Sequence, residues 1–366
     1  MSDTADIIVI GGGIAGISAA AELARDVRVV VVEGEAHLGY HATGRSAAIY
    51  VRNYGNATLR ALNALSHAPL AGELLGQNVL YPRGELLIAK RDEASAFEAH
   101  LADTDGIERL TPAEVTALVP ILRKERILGG AIERDAQDID VDRLLQGCVR
   151  LLRDRGGTIR QGAPVTKIQR DASGWTVETA TSRLSAPIVV NAAGAWADHI
   201  AAMAGVRPIG LQPMRRSAVI MALPDDIAGH KTWPLFGSIH ETWYAKPMAP
   251  GLMISPADED PVDPQDAWPD DMVLAEGLYR FEEMVDIPIT RPLRSWAGLR
   301  SFVPDRSPVV GFAPDAEGFF WLAAQGGYGV QTSPALAHIC RTLCLAQSSD
   351  IDPALLASLS PARLMT

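Results

Sequence analysis

Cysteine, aromatic residues and long apolar runs are all scarce in this sequence of 366 residues. Its cysteines are Cys148, Cys340 and Cys344, and aromatic residues make up 6% of the chain. Cysteines at these spacings form neither a disulfide framework nor a zinc pattern. The four-residue spacing of Cys340 and Cys344 within a helical pattern is typical of small core residues. We therefore expect a fold held together by its apolar core, with no metal site.

Positive charge is also in deficit. The chain has 33 Lys and Arg against 44 Asp and Glu, a net charge of −11. This balance argues against binding to nucleic acid or to an anionic membrane, because neutralising phosphates needs clustered Lys and Arg. No apolar run approaches the length that spans a bilayer, and Asp3 and Asp6 stand where a targeting leader has basic residues. The expectation is a cytoplasmic protein without stable membrane insertion.

Glycine is well supplied, and it is most informative near the N-terminus. The sequence predicts a buried strand from Asp6 to Ile10, a helix that starts at Ile14, and a second buried strand from Arg28 to Val32. A carboxylate, Glu33, ends the second strand. The G-x-G-x-x-G positions of the turn are held by Gly11, Gly13 and Gly16. In a dinucleotide site these glycines allow the tight turn, the approach of a pyrophosphate and close helix packing, while the acid binds a ribose.

Two further glycine turns come from distant parts of the chain. A predicted buried strand over Ala186–Asn191 leads into NAAGAWAD, and another over Phe319–Ala323 leads into AAQGGYGVQTSP. A helix over Asp138–Leu152, its start marked by Asp140, precedes the first of them. Between the two turns lie short strands of the antiparallel type and a last strand over Ile289–Gly298, after which Arg300 follows. The chain therefore alternates between nucleotide-type segments and insertions of a different character.

This alternation predicts the fold class and the domain organisation. We expect an α/β protein in which a Rossmann-like FAD-binding domain is interleaved with an α+β substrate domain built on a largely antiparallel sheet. The FAD-binding domain takes residues 1–50, 138–209 and 308–366, and the substrate-binding domain takes residues 51–137 and 210–307. A nicotinamide domain would instead show a continuous run of βα units. Scattered glycine turns favour an extended FAD with its isoalloxazine ring at the border of the two domains.

Six motifs in order resemble the D-amino-acid oxidase, glycine oxidase and sarcosine oxidase family of FAD oxidoreductases over nearly the whole chain. They are GGGIAG, GYHATGRSAA, NAAGAWAD, LQPMRRSA, WAGLRSFVPD and AAQGGYG. Within that family the chain is most similar to the bacterial D-arginine dehydrogenases. The resemblance implies oxidative deamination of a D-amino acid, with a hydride passing from the substrate Cα to flavin N5. The imino acid product would then hydrolyse to a 2-oxo acid in water.

The resemblance also implies roles for particular residues. Arg300 matches the arginine whose planar fork binds the substrate carboxylate through both oxygens. Arg216 and Tyr244 match further contacts of that carboxylate. Glu85 matches the acid that pairs with a distal guanidinium, and Tyr54 matches a tyrosine that covers the substrate. Gly327, in the last glycine turn, completes the expected catalytic set. Arg215 is expected on the opposite face of its strand from Arg216.

The cofactor expected is non-covalent FAD, because no cysteine stands near Gly298 where sarcosine oxidases attach their flavin. In the loop after Glu33, Thr43, Arg45 and Ser46 can contact phosphate. In the last turn, the helix N-terminus offers N–H donors to the charge that a reduced flavin gains. The full set expected to bind the cofactor is Gly11, Gly13, Ala15, Gly16, Glu33, Gly34, Ala42, Thr43, Gly44, Arg45, Ser46, Ala47, Ala48, Val165, Ala193, Gly194, Gly326, Gly327, Tyr328, Gly329, Val330 and Gln331.

Two departures leave the substrate open. Ile49 stands where the resemblance predicts a histidine, and Val51 where it predicts a threonine. The partner expected is a small amino acid, with basic or broad D-amino acids as the first choice. Oxidation of a secondary amine such as sarcosine is the alternative, and a flavoprotein that acts on or binds a larger partner is the rival of another class. Oxygen and a quinone both stay open as electron acceptor.

Overall fold

The computed structural model describes residues 3–348 and 350–365. Its α-helices are α1 (Ile14–Leu23), α2 (Ala57–Ala68), α3 (Ala94–Asp103), α4 (Pro112–Leu118), α5 (Val141–Asp154), α6 (Ala197–Met203), α7 (Asp271–Glu282), α8 (Ser333–Cys344) and α9 (Pro353–Leu359). Its strands are β1 (Asp3–Thr4), β2 (Ile7–Ile10), β3 (Val29–Val32), β4 (Ile49–Tyr50), β5 (Leu80–Pro82), β6 (Glu85–Lys90), β7 (Glu108–Leu110), β8 (Ile127–Glu133), β9 (Gln137–Ile139), β10 (Thr158–Arg160), β11 (Val165–Asp171), β12 (Gly174–Thr179), β13 (Arg183–Ala186), β14 (Ile188–Asn191), β15 (Gln212–Met221), β16 (Leu235–Ser238), β17 (Tyr244–Met248), β18 (Gly251–Ser255), β19 (Asp260–Pro261), β20 (Arg294–Phe302), β21 (Val309–Phe312) and β22 (Phe319–Ala323).

A six-stranded sheet carries the glycine turns. Its order is β10-β3-β2-β14-β22-β21, and every neighbouring pair is parallel except the last. The strands β2, β3, β14 and β22 are short apolar runs buried on both faces, as expected for parallel strands covered by helices. Because the carboxyl ends of parallel strands meet at one edge, the turns after β2, β14 and β22 lie side by side.

A nine-stranded sheet forms the other large layer. Its path is β19-β15-β18-β17-β16-β6-β8-β7, and β20 pairs with β15. All pairs are antiparallel except β16 with β6. The mixed fold with a Rossmann-like sheet and a largely antiparallel second sheet is therefore confirmed.

Two smaller sheets complete the fold, and one of them joins the predicted domains. A four-stranded sheet of order β1-β13-β12-β11 stands beside the parallel sheet. A three-stranded sheet of order β4-β9-β5 combines strands from both of the expected domains. The division into domains at the predicted boundaries stays a prediction.

Two predicted elements need correction. Asp138 is not helical: it lies in β9, where it pairs with Ile49 and Tyr81, and α5 begins only after the N-cap Asp140. The last strand of the antiparallel sheet is not Ile289–Gly298 but β20, so Arg300 lies inside a strand. Pairing with β15 over nine residues sets these bounds, which no local pattern shows.

Candidate active site

A cavity of about 470 Å³ opens at the carboxyl edge of the parallel sheet. Its walls come from the turns after β2, β3, β14 and β22, together with the loop that follows Glu33. It is lined by 17 of the residues expected to bind the cofactor, which are Gly11, Gly13, Ala15, Glu33, Gly34, Ala42, Thr43, Arg45, Ser46, Ala47, Val165, Ala193, Gly194, Gly326, Gly327, Gly329 and Val330.

The first glycine turn has the tight geometry that a dinucleotide cradle needs. Gly11 has φ +117°, and a Cβ there would lie 2.3 Å from the Ala192 carbonyl oxygen. A Cβ at Gly16 would lie 1.9 Å from the Gly11 carbonyl oxygen. Only glycine fits either position, so the turn can pass close to β14 and α1 can pack closely on it.

Backbone N–H groups orient the Glu33 carboxylate at the cavity wall. The Gly12 N–H donates to one of its oxygens at 2.5 Å, and the Glu35 N–H donates to the other at 2.8 Å. Charge-assisted bonds of this kind fix a carboxylate firmly. Glu33 thus presents a fixed acceptor to whatever occupies this part of the cavity.

Arg45 has protein partners instead of an open guanidinium. Its Nη1 donates to the carbonyls of Ala267 at 3.1 Å and Ala297 at 3.0 Å, and its Nη2 pairs with Asp266. The loop also receives the Trp296 indole N–H on the Arg45 carbonyl. Arg45 lines the cavity, but these bonds use its side chain to tie the loop to the antiparallel sheet.

A second cavity of about 340 Å³ adjoins the first. Two of the expected cofactor residues, Ala48 and Gln331, line this one only. Seven residues line both cavities, and we call them the junction: Ser46, Ala47, Arg216, Tyr244, Arg300, Gly327 and Val330. The junction is where a ring bound in the first cavity would meet a small molecule bound in the second.

Strand register places both expected arginines at the junction. Met214 pairs with Arg300, and Arg216 pairs with Gly298, so the two arginines share one face of the β15–β20 pair. Arg215 takes the other face, as predicted, and its guanidinium lies 2.8 Å from Asp260. A Cβ at Gly298 would lie 3.2 Å from the Arg45 Cβ, so the absence of a side chain there leaves space for Arg45.

The two junction arginines differ in how fully they are paired. Arg216 donates to the Asp258 carbonyl at 2.8 Å and to Glu259 at 3.0 Å. Within the described residues, the Arg300 side chain has a single hydrogen-bond partner, the Tyr54 hydroxyl at 3.5 Å. A Cβ at Gly327 would lie 2.8 Å from Arg300 Nη1, so glycine leaves room for the fork. Arg300 therefore offers the more open anion site.

Both tyrosines at this site are perturbed by their surroundings. Burial raises the pKa of Tyr54, so its hydroxyl stays protonated. Burial also acts to raise the pKa of Tyr244, but the cations Arg300 and Arg216 outweigh it, and the pKa is lowered. Tyr244 therefore lies in a positive environment suited to an anionic ligand group, whereas burial dominates at Tyr54.

The second cavity has an acidic wall away from the arginines. Glu85 on β6 pairs directly with Glu133 on β8, and Glu241 lines the same cavity. Burial, followed by the charges of Glu133 and Glu241, raises the pKa of Glu85 to about 8. Glu133 accepts from the Arg52 N–H at 2.6 Å and from the Asn53 side chain at 2.6 Å. Glu85, by contrast, has no bonded cation among the residues that the structure describes.

Three residues expected to bind the cofactor line neither cavity. Gly16 packs under the first turn. Gly44 closes the loop, with its N–H bonded to the Gly39 carbonyl at 2.8 Å. Tyr328 packs its ring 4.8 Å from the Tyr54 ring. All three positions pack against the site, and their cofactor contacts stay predictions.

Of the two departures from the family pattern, one lies in the wall of the second cavity and the other lies behind it. Ile49 lines the second cavity, so an apolar side chain replaces the expected imidazole there. Val51 is buried, and its N–H donates to Gln331 Oε1 at 3.0 Å. Its side chain thus belongs to the packing around the cavity.

Several lining residues were missed by the sequence reasoning. His41, which lies within one of the quoted motifs, bonds to Glu35 at 2.9 Å and stacks 4.5 Å from the ring of Trp196. That motif was the available signal for His41. Glu133 had no signal, because only the pairing of β6 with β8 brings it beside Glu85. Glu241, between β16 and β17, had none either.

Comparison with known proteins points to one family. Residues 6–343 match the family described as FAD dependent oxidoreductase. Mitochondrial dimethylglycine dehydrogenase of Rattus norvegicus is 24% identical over 355 residues, covering 90% of this chain and 41% of that protein. The chain thus spans less than half the length of that relative. Glycine oxidase of Geobacillus kaustophilus is 23% identical over 354 residues, covering 91% of each.

Solved structures show the same fold. L-proline dehydrogenase from P. horikoshii superposes with a TM-score of 0.85 at 22% identity, covering 100% of this chain and 99% of that one. None of the helices that the structure describes is long and apolar enough to cross a bilayer.

Proposed function

Because the chain belongs to the FAD dependent oxidoreductase family, we propose that it oxidises the amine-bearing carbon of a free amino acid. The proposed first choice of substrate is a D-amino acid with a basic side chain. The reaction is its oxidative deamination, which ends in a 2-oxo acid. The observation that carries the proposal is the junction, where the open fork of Arg300 lies between the two cavities.

The first cavity fits FAD on its own geometry. Gly11 and Gly13 leave backbone exposed to the cavity, the fixed carboxylate of Glu33 suits ribose hydroxyls, and α1 starts at the turn. When bound, FAD supplies the ring that accepts a hydride from the substrate. None of the three cysteines lines either cavity, which supports non-covalent binding.

The proposed work of the protein at the junction is to bind and orient. Arg300 holds the substrate carboxylate through both oxygens, which fixes the plane of the α-carbon. Arg216, already neutralised in part by Glu259, adds a second contact on the same side. Tyr54 stays protonated and donates from its hydroxyl, while Tyr244 lies beside both arginines.

The acidic wall supports a cationic side chain on the substrate. Glu85 has no cation to pair with in the described part of the chain, and Glu133 and Glu241 add negative charge around it. A molecule with a carboxylate at the arginines and a cation at Glu85 would satisfy both ends of the second cavity. D-Arginine and D-lysine have this pattern.

Oxidation of a secondary or tertiary amine is the second candidate. It is favoured by the names of relatives, which include dimethylglycine dehydrogenase and sarcosine dehydrogenase. Such small substrates leave the acidic wall without a partner, so this candidate does not account for Glu85. The preference for the D-configuration rests on the resemblance of the motifs around Arg300.

Anaerobic bleaching of the flavin tests the proposal. The purified protein is mixed without oxygen with D- and L-forms of arginine, lysine and methionine, and with glycine, sarcosine, dimethylglycine and a 2-hydroxy acid. Fast bleaching by D-arginine or D-lysine is expected. Bleaching only by sarcosine, dimethylglycine or an L-amino acid would replace the proposal with the corresponding alternative.

The same preparation also tests for a larger partner and identifies the class of electron acceptor. No bleaching by any small molecule would favour a flavoprotein that acts on a larger partner. Once reduced, the protein is exposed in parallel to oxygen and to a soluble quinone. The faster reoxidation identifies the electron acceptor class.

A further inference from the structure

A buried lysine stands directly behind the junction. Lys246 lies on β17, two residues after Tyr244, and its side chain is 7% exposed. Its Nζ donates to the Ala47 carbonyl at 2.5 Å and to Asp138 Oδ1 at 2.8 Å. Nothing in the proposed binding of substrate or in the glycine cradle uses this group.

The charges around Lys246 do not cancel. Asp138 is shared with Arg83, whose Nε donates to its other oxygen at 2.7 Å. Among the described residues, no second carboxylate lies within ion-pair distance of either cation. Burial acts to lower the pKa of Lys246, and Asp138 opposes that effect. The cluster of Lys246, Arg83 and Asp138 therefore has two cations and one carboxylate, which leaves one positive charge uncompensated.

The segment that Lys246 holds belongs to the junction. Ala47 lines both cavities. The next residue, Ala48, has φ +50°, a left-handed conformation that is unfavourable for alanine. Its N–H donates to Ser46 Oγ at 3.0 Å, and its carbonyl accepts from the Ile139 N–H at 3.0 Å. The Lys246 ammonium thus braces a strained turn at the meeting point of the cavities.

We infer that Lys246 is a positioning residue with an electrostatic effect on the cofactor: it fixes the turn at residues 46–48, and its uncompensated charge favours the negative charge that a flavin at the junction gains on reduction. A charge in a partly buried, low-dielectric site acts more strongly than one in water. The inference rests on FAD binding by the family and not on the proposed substrate, so an amino acid is not needed to test it.

Reduction potentials of the FAD-loaded protein test the inference. Lys246→Met removes the positive charge and should make the potential more negative. Asp138→Asn removes the negative charge beside it and should make the potential more positive. Lys246→Arg keeps the charge and should stay close to the parent protein. Lys90→Met removes an exposed lysine that pairs with Glu93, and serves as the control for overall charge.

Reduction potentials that shift in opposite directions in Lys246→Met and Asp138→Asn separate an electrostatic role of Lys246 from a structural one. A purely structural role lowers thermal stability in both variants without shifting the potentials in opposite directions. The inference is overturned if Lys246→Met changes the potential no more than Lys90→Met does, or if Asp138→Asn shifts it the same way. Should Lys246→Met not retain FAD, Asp138→Asn decides by itself: no positive shift overturns the inference.

Discussion

At the scale of single residues, the site depends on which charged groups are left without protein partners. Arg216 is bonded to the Asp258 carbonyl and to Glu259, whereas Arg300 has only the Tyr54 hydroxyl among the residues described. On the acidic wall, Glu133 accepts from the backbone N–H groups of Arg52 and Asn53, whereas the Glu85 side chain has no hydrogen bond to any residue that the structure describes. Among the described residues, the cavity thus has a guanidinium without an anionic partner at one place and a carboxyl group without a cationic partner at another, which suits a zwitterion with a cationic side chain.

Replacing Arg300 by lysine should weaken substrate binding more than it slows the reaction of bound substrate. Lysine keeps the charge but loses the planar fork that holds both carboxylate oxygens. Losing one charge-assisted hydrogen bond costs about 1.5–3 kcal/mol, so kcat/KM should fall by roughly 10- to 150-fold, mainly through KM. Steady-state kinetics with the best D-amino acid would measure this.

Arg215→Lys is the matched control for that substitution. Arg215 neighbours Arg216 but faces away from the cavities, so the control should leave KM nearly unchanged. If Arg215→Lys and Arg300→Lys lowered kcat/KM equally, the effect at Arg300 would come from disturbing the β15–β20 pair and not from losing the planar guanidinium.

Glu85 should give substrate binding a distinctive pH dependence. Its pKa is raised to about 8, so the empty site is largely protonated at pH 7 and becomes anionic as the pH rises through 8. KM for D-arginine should therefore fall relative to KM for D-methionine between pH 7 and 9. Comparing the two substrates cancels the titration of the α-amino group that they share.

Glu85→Gln supplies the control for the pH effect. The variant should lose the difference in pH dependence between the two substrates, with a selective loss for D-arginine. A parallel loss for D-methionine would show that Glu85 does not contact the substrate side chain.

The raised pKa of Glu85 also makes the stability of the folded state depend on pH. The folded state binds the Glu85 proton more tightly than the unfolded chain does, because the pKa falls towards its usual value on unfolding. This contribution to stability is full below the unfolded pKa and disappears as the pH rises through about 8.

At the scale of elements, the first turn and the β15–β20 pair set the geometry of the two cavities. The turn after β2 must pass within contact distance of β14, and α1 must pack on it, which is why glycine stands at two of its positions. In the antiparallel sheet, the register of two long strands puts both junction arginines on one face. Each element places side chains that are far apart in sequence.

Gly16→Ala and Gly13→Ala should separate packing from cofactor binding. A Cβ at Gly16 would lie 1.9 Å from the Gly11 carbonyl oxygen, so this variant should lose about 1–3 kcal/mol of stability even without FAD. At Gly13 the nearest atom, Thr43 Oγ1, is 3.3 Å away, and the Cβ would face the cavity. Gly13→Ala should therefore weaken FAD binding with a smaller effect on the apoprotein.

Thermal melting of both apoproteins, and titration with FAD followed by absorbance, measure the two quantities. If Gly13→Ala destabilised the apoprotein as much as Gly16→Ala did, both glycines would serve packing alone.

At the scale of the whole molecule, the first cavity is formed where segments that are distant in the sequence meet. Its walls come from the N-terminal turn, the turn after β14 and the turn after β22, and Arg45 ties the N-terminal loop to β20. A ligand that contacts all of these segments binds only the folded state, so its binding adds to the stability of the entire fold.

Removal of FAD should therefore lower the melting temperature by several degrees. An FAD concentration 100-fold above Kd adds about 2.7 kcal/mol to the stability of the folded state. Melting the apoprotein at increasing FAD concentrations should show a continuous rise. FMN, which lacks the adenosine half, should have little effect. A melting temperature that does not change with FAD would mean that the cavity does not bind the cofactor in the folded protein.

The sequence by itself determined the parts of this protein whose pattern is local. The strand–turn–helix of the first 33 residues, the apolar runs of the parallel sheet and the order of the six motifs all follow from residues close together in the chain. Periodicity and turn chemistry fix such elements, so the fold class and the geometry of the first glycine turn could be predicted. Arg300 and Arg216 were expected from motifs of the same local kind.

Only the tertiary structure decided which side chains meet when strands far apart in the sequence pair with each other. Glu133 reaches Glu85 because β8 pairs with β6, and Lys246 reaches Asp138 because residues 108 positions apart meet behind Ala47. The start of α5 and the bounds of β20 were wrong for the same reason. No local pattern encodes such pairings, because a strand of given sequence can pair in several registers until the rest of the core fixes one.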